Sequence, residues 1–409
     1  MTPSPKSNLA GWVVVGVCFM VLSVSFAARS LLGLSMPNLQ QDMGWSRSFL
    51  SSGGSIALLV MAATAPVAGN LINRFGARPL LFAGLGFVGL GMLGVSVSQA
   101  PWQFLAAIGI VGGLGFGMAA THAVSTIVSL MFERNRGLAV GTATAGSTAG
   151  QFFVVPVVAA VLVHGSWRWS YLTIGVISLV MALLVLLVVK PGAARGRRHG
   201  QANGPFLEEV ASLFRRPVFH LLFWSYVICG FTTSGIIETH FLPYAATCGF
   251  PPVESAFAYG VLSAVNLGGM VLAGWLTDRM SRPLLLGGIY ILRGIAFILL
   301  IQASSNIALL FAFAVMFGLF DYATVPVTAS LAASHIGLRV LGLTMGLLSA
   351  GHSIGAAAGA YMGGLIFDLS ARYLWVWEAA LVLALIAGLL SLAISDRAGS
   401  RFGPTLEAA

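Results

Sequence analysis

Twelve apolar runs follow one another along this 409-residue chain, each near or above the roughly 20 residues that carry a helix across bilayer hydrocarbon. They cover about 11–36, 48–72, 79–97, 101–131, 137–163 and 168–190, then 217–245, 254–277, 283–302, 306–333, 338–366 and 372–395. The chain is 58% hydrophobic and 8% charged, where soluble domains carry about a quarter charged residues. The pattern predicts an all-α membrane protein of twelve transmembrane helices. Gly-rich stretches at 109–117 and 355–364 suit close helix contact in lipid.

The long hydrophilic gap at 191–216 divides the spans six and six. It predicts an N-terminal bundle (1–190), a linker (191–216) and a C-terminal bundle (217–409). Within the linker, Phe206–Phe214 (FLEEVASLF) reads as a short amphipathic helix along the membrane surface. Lys and Arg placement sets the direction. With both termini cytoplasmic, inner loops and tails hold 16 of the 21 basic residues and outer loops hold Arg47, Arg168 and Arg372. The remaining two, Arg29 and Arg293, sit inside spans.

The net charge of +9 is scattered through short loops, so no basic face for nucleic acid is expected. Cys18, Cys229 and Cys248 show neither metal spacing nor a disulfide framework, and no cofactor is expected. The first run follows Lys6 but is too long for a signal-peptide core, so it reads as a retained span. The chain shows no P-loop and no nucleophile elbow, which argues against an enzyme or an ATP-driven pump.

Gly69-Asn-Leu-Ile-Asn-Arg-Phe-Gly-Ala-Arg78 links spans two and three, and Gly274-Trp-Leu-Thr-Asp-Arg-Met-Ser-Arg282 links spans eight and nine. The first resembles the G-x-x-x-D-R-x-G-x-R signature of the major facilitator superfamily, and the second its degenerate echo. A helix end, a carboxylate and arginines form a charge latch that holds one bundle against the other. Its expected members are Gly69, Asn73, Arg74, Gly76 and Arg78 in the first copy, and Asp278 and Arg279 in the second. Asn73 stands where the signature has aspartate, so the first latch lacks its carboxylate.

Further stretches are similar to the bacterial monocarboxylate-porter-like branch, near the oxalate:formate antiporter group. They are Gly44-Trp-Ser-Arg47, Phe132–Gly141 with Ala145–Gly150, Tyr290-Ile-Leu-Arg293, Gly318–Ala323, and Gly351-His352 with Gly355, Gly359, Gly363 and Gly364. The resemblance implies the major facilitator fold, two six-helix bundles, and a protein that acts alone. Animal monocarboxylate carriers place an Asp-x-x-x-Arg pair where this chain has Asn266 and Met270. The carboxylate-binding cation implied instead is Arg293, with Arg29 near the slot of the animal carriers' lysine.

A guanidinium keeps its charge at any ordinary pH, and one held near mid-bilayer faces an interior or a wet cavity and meets an anion. Two roles fit Arg293: a forked bond to a solute carboxylate, or a structural tie to Asp321. At 1.5 Å per residue the two lie roughly 15 and 18 Å from the inner ends of spans nine and ten. Arg29 either lines a cavity or snorkels to the interface. Tyr290, Tyr322 and His352 are further solute-binding candidates, and Tyr226, Phe231 and Tyr361 are candidates to shape the pocket. Asp321, Glu238, His240 and His122 are candidates to carry a proton.

These residues and the resemblance imply a secondary transporter of the bacterial inner membrane that moves a small organic anion, a monocarboxylate such as lactate or pyruvate. An inside-negative potential opposes anion entry by about 2.3 kcal/mol per charge per 100 mV, so proton symport is the natural coupling. A larger vitamin-like or aromatic solute, or exchange or export of an anion, stays open. A membrane sensor that transports nothing is the remote alternative.

Overall fold

The computed structural model describes residues 5–154, 166–192, 206–303, 306–370 and 372–395; the middle of the linker (193–205) and the end of the fifth run lie outside them. Eleven helices in the described residues are long and apolar enough to cross a membrane. The fifth expected span is helical from Arg136 as far as Val154. Lipid leaves main-chain polar groups no water to bond, and among the described residues no strand is present. The Phe206–Phe214 helix forms as expected, buries Leu213, and meets the start of span eleven through Glu209 and Arg339 at 3.7 Å.

Among the described residues four spans are not continuous α-helices; span five turns at Ala145 and widens over Gly150–Val154. Span four, Pro101–Met131, passes through a wide π-type stretch (Leu105–Gly112) and breaks at residues 119–120. Span seven, Pro217–Thr247, widens over Phe231–Ile237. Span ten, Ile307–His335, breaks over residues 321–323. Hydropathy does not register such breaks, because the flanking residues stay apolar.

Within each half, span three packs on six and span nine on twelve, while seven lies along eleven. The halves meet where span two packs on eleven, five on eight, and the Thr121–Met131 part of span four on the Thr324–His335 part of span ten. Glycine makes this seam possible. A Cβ on Gly69 would strike the Gly342 carbonyl, and one on Gly342 would strike that of Gly69. Gly137 and Gly274 block each other in the same way, and Gly346 lies against Ala65. All these contacts cluster toward the face carrying loops 132–135 and 278–281. Toward the opposite face no packing of comparable extent joins span one to span seven among the described residues.

The seam predicts the effect of a wedge. In Gly69→Val the added methyls push span two off span eleven, an overpacking cost of about 1–3 kcal/mol borne only while this face is closed. A thiol introduced at buried Ala65 is then expected to react faster with a membrane-impermeant maleimide than in the Gly69 background.

Candidate functional site

Between the halves, on the side where they part, lies a cavity of about 260 Å³. Its walls come from Phe26, Arg29, Ser30 and Leu32 of span one, Gly54, Ala57, Leu58 and Met61 of span two, Ile108 and Phe116 of span four and Gln151 of span five. Glu238 of span seven and Tyr322 of span ten line it from the other half. Most of the N-terminal wall is therefore apolar, while a carboxylate and a phenol face it.

Arg29 reaches this cavity from span one. Its guanidinium lies over the Phe26 ring at 4.8 Å, and among the described residues it forms no hydrogen bond or ion pair. Across the cavity, Glu238 accepts hydrogen bonds on Oε1 from Tyr322 Oη at 2.8 Å and Ser234 Oγ at 3.1 Å. The widened turn of span seven carries Ser234, one helical turn before Glu238.

Arg293 lies off the cavity. It is fully buried behind the break in span ten. Nη2 donates to the main-chain carbonyls of Phe320, at 2.6 Å, and Asp321. Nη1 donates to Cys229 Sγ of span seven at 3.1 Å. A helix end leaves carbonyls without partners and gathers partial negative charge; the guanidinium answers both. Of the two roles open to Arg293, the structure shows a tie to span ten, made through carbonyls and not through the Asp321 carboxylate. Asp321 Oδ2 accepts from Asn266 Nδ2 at 3.2 Å, and Tyr322 N–H donates to Asn266 Oδ1 at 3.2 Å. Arg293 and Asn266 thus hold the break from which Tyr322 reaches Glu238.

The other candidates stand apart from the cavity lining. Tyr290 is buried, its ring 5.2 Å from the Arg293 guanidinium carbon. His352 lies beside Tyr226, ring centres 5.1 Å apart, and is an electrostatic neighbour of Cys229. His240 bonds through Nε2 to the Ala360 carbonyl at 2.9 Å, and its ring fills the space left by Gly363. His122 is buried at the break in span four, with neither ring nitrogen hydrogen-bonded among the described residues. Phe231 packs among apolar neighbours, and Tyr361 is 71% exposed. Neither is among the residues that line this cavity. Nothing in the sequence marked Ser234 or Gln151. Cys229 and Asn266 were visible only as a lone cysteine and as a departure from the animal carriers' acid.

At the closed seam Asp278 accepts from the N–H groups of Gly137 (2.8 Å) and Leu138 (2.9 Å). A carboxylate of one half therefore caps the first turn of span five in the other, where the helix dipole favours negative charge. The arginines of the motif take other partners. Arg78 donates to the Leu186 carbonyl at 2.7 Å, and Arg279 lies over the Trp275 ring. Arg74 is exposed at the end of span two, and the side chain of Asn73 lies outside the described residues. Gly76 takes φ 86° at the turn between spans two and three, a region that favours glycine. Next to the latch, burial and the neighbouring Arg282 pull Arg136 down from the usual guanidinium range, while Asp278 and Glu133 oppose the shift.

Two helical bundles that close on one face and part around a lined cavity on the other define a multi-pass membrane transporter. The sequence model of the Major Facilitator Superfamily matches residues 18–300 and 269–405. The chain belongs to the major facilitator superfamily. It is 26% identical over 407 residues to the uncharacterized MFS-type transporter YcxA of Bacillus subtilis (strain 168), with 96% of each chain covered. It is 27% identical to monocarboxylate transporter 13 of Bos taurus, over 90% of this chain and 85% of that one. Among solved structures, the E. coli fucose:proton symporter FucP aligns with a TM-score of 0.76 at 16% identity, covering 92% of this chain and 97% of that one. The human organic anion transporter MFSD10 aligns at 0.74 and 15%, covering 95% and 100%.

The geometry separates the two intramembrane arginines. Arg293→Met orphans two buried carbonyls at about 1–3 kcal/mol each, so a clear drop in thermal unfolding temperature in detergent is expected. Arg29→Met removes only a ring contact of about 0.5–1 kcal/mol and is expected to unfold nearly as the parent does.

Proposed function

We propose that the chain is a secondary transporter of a small organic carboxylate, with Arg29 as its anchor and Glu238 as its proton carrier. The observation that carries this reading is the placement of Arg29: a permanent cation on a cavity wall, with no hydrogen-bond or ion-pair partner among the described residues. A guanidinium offers a carboxylate two parallel N–H donors, and the apolar wall around it strengthens the attraction by excluding water. The monocarboxylate and organic-anion transport named in two similar proteins agrees with this chemistry.

Glu238 faces the same space from the other half. With both charged, the cavity is neutral, and an incoming anion leaves one negative charge uncompensated. A proton on Glu238 removes that charge, so one carboxylate and one proton cross together without opposition from the membrane potential. Tyr322 and Ser234 hold the Glu238 carboxyl where the halves meet on closure.

The excess of Lys and Arg in the loops on the side of the closed seam supports a cytoplasmic position for that seam and both termini in a bacterial inner membrane. The cavity then opens outward, and the described state is the one that accepts solute from outside. Release needs Asp278 to leave the N-terminus of span five so that the seam parts.

Uptake by proteoliposomes tests the assignment. Arg29→Gln is expected to abolish accumulation of lactate and of larger monocarboxylates, and Arg29→Lys to restore it only in part, because the fork is lost. Glu238→Gln is expected to remove stimulation by an inward proton gradient. Undiminished uptake by Arg29→Gln would sink the anchor role.

A further inference from the structure

The cavity holds a cation and a carboxylate on facing walls, and a solute with a single charge answers only one of them. We propose that the solutes include zwitterionic amino acids with an apolar side chain, the solute carboxylate on Arg29 and its ammonium on Glu238. This rests on the reading of Arg29 as the carboxylate anchor.

Three observations carry it. Glu238 is held in place by Tyr322 Oη and Ser234 Oγ, both bonded to Oε1. An ionised carboxylate has about four acceptor sites, which leaves room on Glu238 for an ammonium's donors. The two charges also come from opposite halves, span one and span seven, so a solute that bridges them draws the open side together. The remaining wall, with Phe26, Leu58, Met61 and Phe116, is apolar. A three-carbon acid has no body to place there, whereas an aromatic or branched side chain covers it and gains from leaving water.

Electrostatically, a zwitterion equals a monocarboxylate plus a proton. In both cases Arg29 and Glu238 are neutralised together and no net charge moves. The difference lies in the source of the positive charge. A plain acid borrows a proton, so its uptake follows the proton gradient. An amino acid brings its own cation, so its uptake does not.

The test uses the full chain in proteoliposomes with two radiolabelled probes, phenylalanine and phenyllactate, which differ by an ammonium in place of a hydroxyl. Exchange against internal unlabelled probe is expected to carry phenylalanine without a proton gradient, whereas phenyllactate uptake rises with one. Glu238→Gln is expected to lower phenylalanine exchange by about tenfold or more, the effect of one lost charged contact. Arg29→Gln is expected to abolish transport of both. Arg29→Lys and Glu238→Asp keep the charges and are expected to retain part of the exchange, which separates loss of charge from loss of fold. Transport of phenyllactate without phenylalanine overturns the proposal and leaves the carboxylate anchor standing. Competition by phenethylamine as strong as by phenylalanine, or indifference to Arg29→Gln, overturns the anchor and the proposal with it.

Discussion

Where span ten breaks, the carbonyls of Phe320 and Asp321 turn out of the helical ladder, and a bilayer has no water to offer them. The Arg293 guanidinium donates to both, while its other end holds Cys229 of span seven. Without this closure the break would be costly and span ten would run straight. Because it is closed, Tyr322 can leave the helix line and meet Glu238 in the cavity. A cation buried at no small cost thus serves the backbone first, and the cavity wall inherits the geometry.

The two faces of the molecule are built on different chemistry. On the closed face, glycines bring backbones into contact and Asp278 caps the opposing helix, so closure is made of packing and one capped dipole. On the parted face a largely apolar lining carries Arg29 from one half and Glu238 from the other, and no hydrogen bond or ion pair neutralises Arg29 among the described residues. A seam of small residues closes by packing, whereas the gap carries one charge of each sign. Asn73, in place of an acid, leaves the first motif without the carboxylate that the second uses. The latch is therefore asymmetric between the halves, which weights closure toward the contact of Asp278 with span five.

Much of the candidate site was legible as residue types and little of it as roles. Arg29, Glu238 and Tyr322 stood out as polar groups in apolar runs, and all three line one cavity. Arg293 stood out more strongly, yet it points behind span ten. A linear reading gives depth along a helix but not which side of the helix faces the cavity, and a rotation of about 100° per residue separates lining from burial. His240 and His122 show the same limit: each lies within a span, and each is turned into helix–helix packing.

The number of spans, their alternation and the membrane as solvent were already written in hydropathy and in the placement of Lys and Arg, because crossing hydrocarbon is a local requirement on length and charge. The motif was readable too, and Asp278 within it, but the sequence did not show that Asp278 meets main-chain N–H groups while Arg78 and Arg279 take other partners. Tertiary structure alone decided which arginine serves backbone and which serves the cavity, and that the halves close on one face and part on the other. Those outcomes depend on how helices rotate and pack against partners more than a hundred residues away, and nothing in the local pattern encodes them.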